Sequence, residues 1–237
     1  MIKEALQYLI SLGKSELHDI GGQVYASKDL YVIESPTTEE LEVKTLSAVV
    51  DYIKSKFDAQ DFEEMMIHVE TPTLVNVYSH LNETMNRNLL LKAKPIIPQF
   101  DFDRFYDTEA FNIKLQSTFV QAHQRDVMLK VVGNIKEETV STVGDDGVSQ
   151  AVVAKAGVAS VANVKVPNPV QLKPYRTFID VEQPESEFIF RMQNGPKCAL
   201  FEADGGAWKN VAMLNIKKYF CEELKTEIEK GKIVVIA

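Results

Sequence analysis

The chain has 237 residues, 45% hydrophobic and 25% charged, which is typical of a folded globular protein and not of a disordered one. Its formal net charge is −8, with 34 acidic against 26 basic residues. An acidic surface repels phosphate on average, so this composition argues against sequence-independent binding of nucleic acid. Nucleic acid is left open as a partner and is not the expected one.

The sequence shows no signal for a membrane span or for secretion. No apolar run approaches the roughly 18 residues that a membrane span needs. The first ten residues, MIKEALQYLI, carry Lys3 and Glu4 where a secretion signal would be basic. The two cysteines, Cys198 and Cys221, do not make a disulfide framework, and we interpret both as buried thiols. We therefore expect a cytoplasmic protein with no membrane contact and no cofactor.

The first quarter of the chain predicts a helix, a hairpin and a second helix. Ile2, Leu6 and Leu9 recur at helical spacing, and Gly13 is a suitable stop. Gly21-Gly22 precedes the runs QVYAS and LYVI, which we interpret as the two arms of a hairpin. After a short strand in LEVKT, Thr45 is a candidate N-cap for an amphipathic helix. Its apolar stripe comprises Leu46, Val49, Val50, Ile53 and Phe57.

The middle of the chain predicts a three-stranded meander followed by two helices. The strands are the runs EMMIHVE and LVNVYSH and the segment Arg87–Lys94. An aromatic and acidic stretch, QFDFDRFYDTEAF, then leads into a helix that contains Phe111, Leu115 and Phe119. A second helix ends near Gly133.

Residues 134–166 differ in character from the rest of the chain. GDDG separates two β-prone runs, a strong hairpin signal, and the second run consists mostly of Val, Ala and small polar residues. Small side chains permit close backbone approach, so we expect an extended β-hairpin arm that lies on a neighbouring subunit. An ordinary exposed hairpin is the alternative. The candidate contact residues are Val148, Ala151, Val153, Val158, Val161 and Val164.

The tail, residues 187–237, predicts a hairpin, a glycine corner, a long helix and a closing apolar strand. We expect four of its residues to be core residues, namely Trp208, Ile216, Phe220 and Leu224. Asp204-Gly205-Gly206 precedes the helix, where a phosphate could bind. A tight corner that seats Trp208 is the favoured interpretation, and Asn215 is an alternative N-cap.

Catalytic motifs are weak throughout the sequence. Asp101, Asp103 and Asp107 form the one acidic cluster with an interleaved arginine, and such carboxylates are candidate Mg²⁺ ligands. The same acids would also suit the positive end of a helix, which is the favoured interpretation. No nucleophilic serine motif is present. We therefore expect no metal site and no catalytic residue.

The order of several motifs resembles the YfdQ-like family of tailed phages and prophages, from about residue 45 to the end. The matching segments are TLSAVVDYIKSKFD, DFDRFYDTEAFNIKLQSTF, GDDGVSQ, VPNPVQLKPYRTF, EQPESEFIFRMQNG and ALFEADGGAW. The resemblance implies a gene from an early or accessory phage region, near recombination and single-strand-binding functions. The family has no agreed catalytic residues, so the resemblance assigns none to this chain.

The sequence therefore predicts one α+β domain over residues 1–237, a mostly antiparallel sheet packed by several helices, with the arm at 134–166. We expect a phage-encoded, non-enzymatic accessory protein that forms homo-oligomers in the host cytoplasm. Its expected partners are host-defence or phage DNA-metabolism proteins. The alternatives are a ring- or shell-forming structural protein, a metal-dependent enzyme acting on nucleic acid or nucleotides, and a single-strand-binding accessory that uses the FDFDRFY aromatics.

Overall fold

The computed structural model describes residues 2–27, 39–57, 64–82, 85–133, 140–145, 150–154, 168–193 and 197–237. The chain divides into two compact units, Met1–Thr37 and Thr38–Ala237. Each unit is considered separately below, and the single domain expected from the sequence stays a prediction.

The first unit is a helix followed by a two-stranded hairpin. Helix α1 (Ile2–Gly13) has the predicted amphipathic stripe. Strands β1 (Leu17–Ile20) and β2 (Gln23–Ala26) pair antiparallel around Gly21 and Gly22, whose φ angles of 64° and 82° suit glycine. The glycine pair is the turn of this hairpin, in which QVYA pairs with the preceding LHDI, a pairing that the sequence did not predict. The LYVI run lies outside the described residues.

A five-stranded sheet forms the first half of the second unit, in the order β13-β4-β5-β6-β3. The predicted meander is confirmed as β4 (Met65–Thr71), β5 (Leu74–Ser79) and β6 (Leu89–Ala93), which pair antiparallel. The two edge strands, β3 (Leu41–Val43) and β13 (Ile233–Ile236), pair in parallel with β6 and β4. The C-terminal strand β13 therefore lies beside β4, a strand from the first third of the chain.

Three helices accompany this sheet, namely α2 (Leu46–Ser55), α5 (Trp208–Glu223) and the short α6 (Lys225–Glu229). The shared core contains Leu46, Ile67, Phe178, Phe220 and Leu224 among its fully buried side chains. Thr45 caps α2 as predicted, with its hydroxyl accepting from the Ala48 N–H. Two boundary predictions are wrong, because α2 ends before Phe57, which is exposed, and Asn215 lies inside α5.

A four-stranded sheet forms the second half of this unit, in the order β10-β11-β12-β7. Its strands are β10 (Val170–Leu172), β11 (Ser186–Gln193), β12 (Lys197–Glu202) and the short β7 (Tyr106–Asp107), and all pairings are antiparallel. The sheet packs with α3 (Thr108–Thr118) and α4 (His123–Gly133). A second core forms here, rich in buried phenylalanine: Phe111, Phe119, Phe188 and Phe190.

The predicted arm is described in part. Strands β8 (Val140–Asp145) and β9 (Gln150–Ala154) pair antiparallel, as the GDDG signal indicated. Candidate contact residues Val148, Val158, Val161 and Val164 lie outside the described residues, and the description of Ala151 and Val153 is limited to their backbone in β9. A hairpin is therefore present, and its extension as an arm stays a prediction.

The architecture is α+β with mostly antiparallel sheets, as expected. Among the described residues, no helix combines the length and the apolar character needed to cross a membrane. The segment 173–185 links β10 to β11 within the four-stranded sheet, and its Phe178 is buried in the core of the five-stranded sheet. The candidate site is built beside this segment.

Candidate functional site

The connecting segment 173–185 is held in place by one buried glutamine. The Gln183 carboxamide oxygen accepts from the backbone N–H groups of Arg176 and Thr177, at 3.0 and 3.3 Å. Its amide nitrogen donates to the carbonyl of Phe178 at 2.9 Å. Phe178 is fully buried in the first core, so this loop is anchored through both its backbone and a side chain.

Arg176 is the buried cation of the site, with 8% of its surface exposed. Its guanidinium donates to the carboxylate of Glu202 at 2.6 Å and to the hydroxyl of Ser186. The Asp204 carboxylate lies 3.8 Å away. Burial lowers the pKa of Arg176 to about 10, which still leaves the guanidinium charged at neutral pH. A buried charge needs partners of this kind, because an unpaired one is very costly.

Trp208 begins helix α5 and lies against this cation. The guanidinium carbon of Arg176 is 3.9 Å from the centre of the indole ring, and 5.7 Å from the ring of Phe188. Stacking of a guanidinium on an aromatic face is favourable, most of all when it is shielded from water. Trp208 is partly exposed, so it is not the core residue that the sequence predicted.

The glycine corner positions Asp204 beneath the start of α5. Gly205 and Gly206 have φ angles of 60° and 81°, which are suited to glycine and let the chain turn from β12 into the helix. The Asp204 carboxylate accepts from the N–H of Gly206 at 3.0 Å. Burial raises the pKa of Asp204, but hydrogen bonds from Ser186 and Gly206 and the charge of Arg176 together lower it below its ordinary value.

A pocket of about 210 Å³ opens beside this cluster. Its walls combine an indole ring, aliphatic side chains and carboxylates. Glu185 and Glu187 are exposed at its walls, whereas Ser186 is buried. The lining residues are Gln171, Glu185, Ser186, Glu187, Asp204, Ala207, Trp208 and Val211. The pocket is therefore acidic, with a partly exposed aromatic ring on one side.

Comparison with known proteins gives a negative result. No protein-family model, curated protein or solved structure matches this chain. The resemblance to phage and prophage proteins therefore stays a prediction, and the proposals below rest on the geometry of the site.

The acidic cluster at Asp101, Asp103 and Asp107 contains carboxylates that form local hydrogen bonds and a helix cap. The Asp101 carboxylate accepts from Gln99 and Tyr106 and pairs with Arg104 at 3.3 Å. Asp107 is the N-cap of α3 and accepts from the Ala110 N–H at 2.8 Å. Across the residues that the structure describes, no group of three or more histidine, cysteine, aspartate or glutamate side chains is placed to hold a metal ion.

The aromatic residues of FDFDRFY pack into the second core. The rings of Phe102 and Phe188 are stacked at 5.2 Å with an interplanar angle of 13°, and Phe100 meets Phe119 edge to face at 5.0 Å. Phe105 lies against Phe201. These rings are engaged with each other, so the geometry does not favour the hypothesis that they stack on nucleic-acid bases.

The remaining predicted residues fall into two groups. Ile216, Phe220 and Leu224 are fully buried in the first core. Cys198 is buried, and burial raises its thiol pKa to about 12. The interpretation of Cys221 as buried is wrong, because it lies on the exposed side of α5.

Sequence reasoning missed Arg176 altogether. Its partners come from two strands, a glycine corner and a helix start, namely Ser186, Glu202, Asp204 and Trp208. No motif of short, fixed spacing therefore predicts the cluster. The available signal was the segment pair YRTFIDVEQPES and EADGGAW, in which an arginine and the chain's single tryptophan each neighbour acidic residues.

Proposed function

We propose that this chain is a phage- or prophage-encoded accessory protein that acts by binding a protein partner and not by catalysis. The observation that carries the proposal is the pocket beside Trp208, which adjoins the ion pairs of Arg176 with Glu202 and Asp204. Host-defence and phage DNA-metabolism proteins are the proposed partner classes, on the basis of the motif resemblance. The cytoplasm of the host cell is the corresponding location.

The charges of the cluster favour binding over proton transfer. Asp204 has a lowered pKa and Arg176 has a pKa of about 10, so both groups keep their charge across the neutral range. A general acid or base works best with a pKa near the operating pH. An aromatic side chain accompanied by a few fixed polar groups is instead common in recognition pockets.

Self-assembly is the second part of the proposal. Every described residue of the first unit is exposed, including the apolar stripe of α1. An exposed apolar face of this kind commonly marks an interface. Its most prominent side chains are Ile2, Leu6, Tyr8, Leu9, Ile10 and Leu12. The hairpin over residues 134–166 is the other proposed contact.

A capture experiment tests the binding proposal. Tagged full-length chain, the double variant Glu185→Gln/Glu187→Gln and the control Glu222→Gln are expressed in host cells carrying the phage, and retained proteins are identified by mass spectrometry. We expect at least one phage or host protein to be retained by the wild type and the control and lost from the double variant. Identical sets from all three would show that the pocket recruits no partner.

Light scattering tests the assembly proposal. We expect a mass that is a multiple of the 26.7 kDa chain, reduced in a variant that lacks residues 144–166 or carries Leu6→Glu/Leu9→Glu. A mass of one chain at all concentrations would remove self-assembly from the proposal, while leaving partner binding untouched.

A further inference from the structure

We propose that the pocket beside Trp208 receives a lysine or arginine side chain of the partner protein. This inference rests on the proposed binding function and specifies the chemistry of its ligand. It follows from three features of the pocket: its incompletely compensated carboxylates, its aromatic and aliphatic walls, and the occupation of the helix N-terminus by Asp204.

The first feature is the charge balance. The positive charge of Arg176 is matched within the cluster by Glu202 and Asp204. Within the part of the chain that the structure describes, neither Glu185 nor Glu187 forms an ion pair. Lys173 pairs with Glu182 at 2.8 Å and also interacts electrostatically with Glu185, so part of the Glu185 charge is offset. The pocket wall therefore presents negative charge that an incoming cation would neutralise.

The second feature is the shape and polarity of the walls. The indole of Trp208 stacks on Arg176 and also lines the pocket, and an electron-rich ring of this kind attracts cations. Ala207 and Val211, on the first turn of α5, line the same pocket. A lysine or arginine side chain carries an aliphatic stem and a charged head, and it suits a site that offers both surfaces.

The third feature excludes the obvious alternative, an anion at the start of α5. Backbone N–H groups at a helix N-terminus after a glycine corner commonly bind phosphate. Here the Asp204 carboxylate already accepts from the N–H group of Gly206 at 3.0 Å, at the entry to the helix. An external anion would have to displace this carboxylate and approach Glu185 and Glu187, so a cation is the matching ligand.

Trp208 is the only tryptophan in the chain, so its fluorescence reports on this pocket alone. The experiment titrates the full chain with acetyl-Ala-Ala-Arg-Ala-Ala-amide and with the same peptide carrying citrulline, which keeps the shape of arginine without its charge. We expect the Trp208 fluorescence to change and saturate as the arginine peptide is added. The affinity for the citrulline peptide should be about tenfold weaker. Glu187→Gln should reduce the difference in affinity between the two peptides, and the control Glu222→Gln should leave that difference unchanged.

Two results would overturn the inference. Equal binding of the two peptides would show that charge is not recognised, and no saturable response to the arginine peptide would show that the pocket does not take this side chain. Either result leaves the binding function standing if the capture experiment still finds a pocket-dependent partner. Because Glu187 is exposed, its glutamine variant tests charge with little risk to folding.

Discussion

The guanidinium carbon of Arg176 lies 3.9 Å from the centre of the Trp208 ring, and both groups belong to the cluster that ties β11, β12 and the start of α5 together. Arg176 also donates to Glu202 and Ser186, so one side chain contacts residues from both strands and the helix. A single buried cation therefore contacts three of the residues that line the pocket, namely Ser186, Asp204 and Trp208.

Replacing Arg176 with alanine should destabilise the protein strongly. The Asp204 carboxylate would be left without its cation, and breaking a buried pair typically costs about 3–5 kcal/mol. We expect a loss of about 3 kcal/mol in the free energy of unfolding, the lower end of that range, because Glu202 is partly exposed. Urea unfolding followed by circular dichroism measures it, with Lys218→Ala as the surface control. A loss no larger than that of the control would mean that the cluster does not stabilise the fold.

The stability of the protein should depend on the ionisation of Asp204. Its pKa in the folded state lies below the ordinary value of about 3.9, so the stabilisation is fully present above about pH 4 and is lost as the pH falls through the folded pKa. Asp204→Asn removes this contribution. We expect the difference in unfolding free energy between wild type and variant to be constant from neutral pH to about pH 5, and to shrink below about pH 4. A difference that grows on acidification would have the wrong sign.

The two cysteines should differ greatly in reactivity. Cys221 is exposed, whereas Cys198 is buried and has a thiol pKa raised to about 12. Since the thiolate is the reactive form, a disulfide reagent should label one thiol per folded chain quickly and the second only after unfolding in urea. The variant Cys221→Ser should lose the fast phase. Two fast thiols in the native protein would place Cys198 at the surface.

Asp180 should act as a second cap for α2, from a distant part of the sequence. Its carboxylate accepts from the N–H groups of Leu46 and Ser47, both at 3.1 Å. We expect Asp180→Ala to lower the free energy of unfolding by about 1 kcal/mol, as loss of an N-cap does, and Asp180→Asn to lower it less. Urea unfolding of both variants measures the change. Equal losses in the two variants would indicate that hydrogen bonding to the helix start is not the cause.

The elements that were predicted correctly are those whose signals are local. The stripe of α2 and its Thr45 cap lie within a few residues of each other, and so do the alternating residues of the β4–β5–β6 meander. The β1–β2 hairpin was missed because Gly21-Gly22 was taken only as the start of a strand, although two consecutive glycines with positive φ form the turn itself.

The candidate site could not be predicted in the same way. Asp180 caps a helix that begins at Leu46, and Thr177 donates to the carbonyl of Pro72, so tertiary packing and not sequence spacing brings these groups together. Trp208 was expected in the core as part of the C-terminal helix and its glycine corner. Instead it covers Arg176, which is buried by residues of β11, β12 and α5. No local sequence pattern indicates that these elements meet.

Quenching of Trp208 fluorescence by ions tests the central claim, an acidic binding pocket around this ring, most directly. Caesium and iodide ions quench tryptophan fluorescence by contact. The quenching rate constant of each ion with the protein, divided by its rate constant with N-acetyltryptophanamide, therefore reports the electrostatic potential near the ring. We predict that relative quenching by caesium exceeds that by iodide, and that Glu185→Gln/Glu187→Gln narrows the gap while Glu222→Gln preserves it. Relative quenching by iodide equal to or above that by caesium would contradict the account.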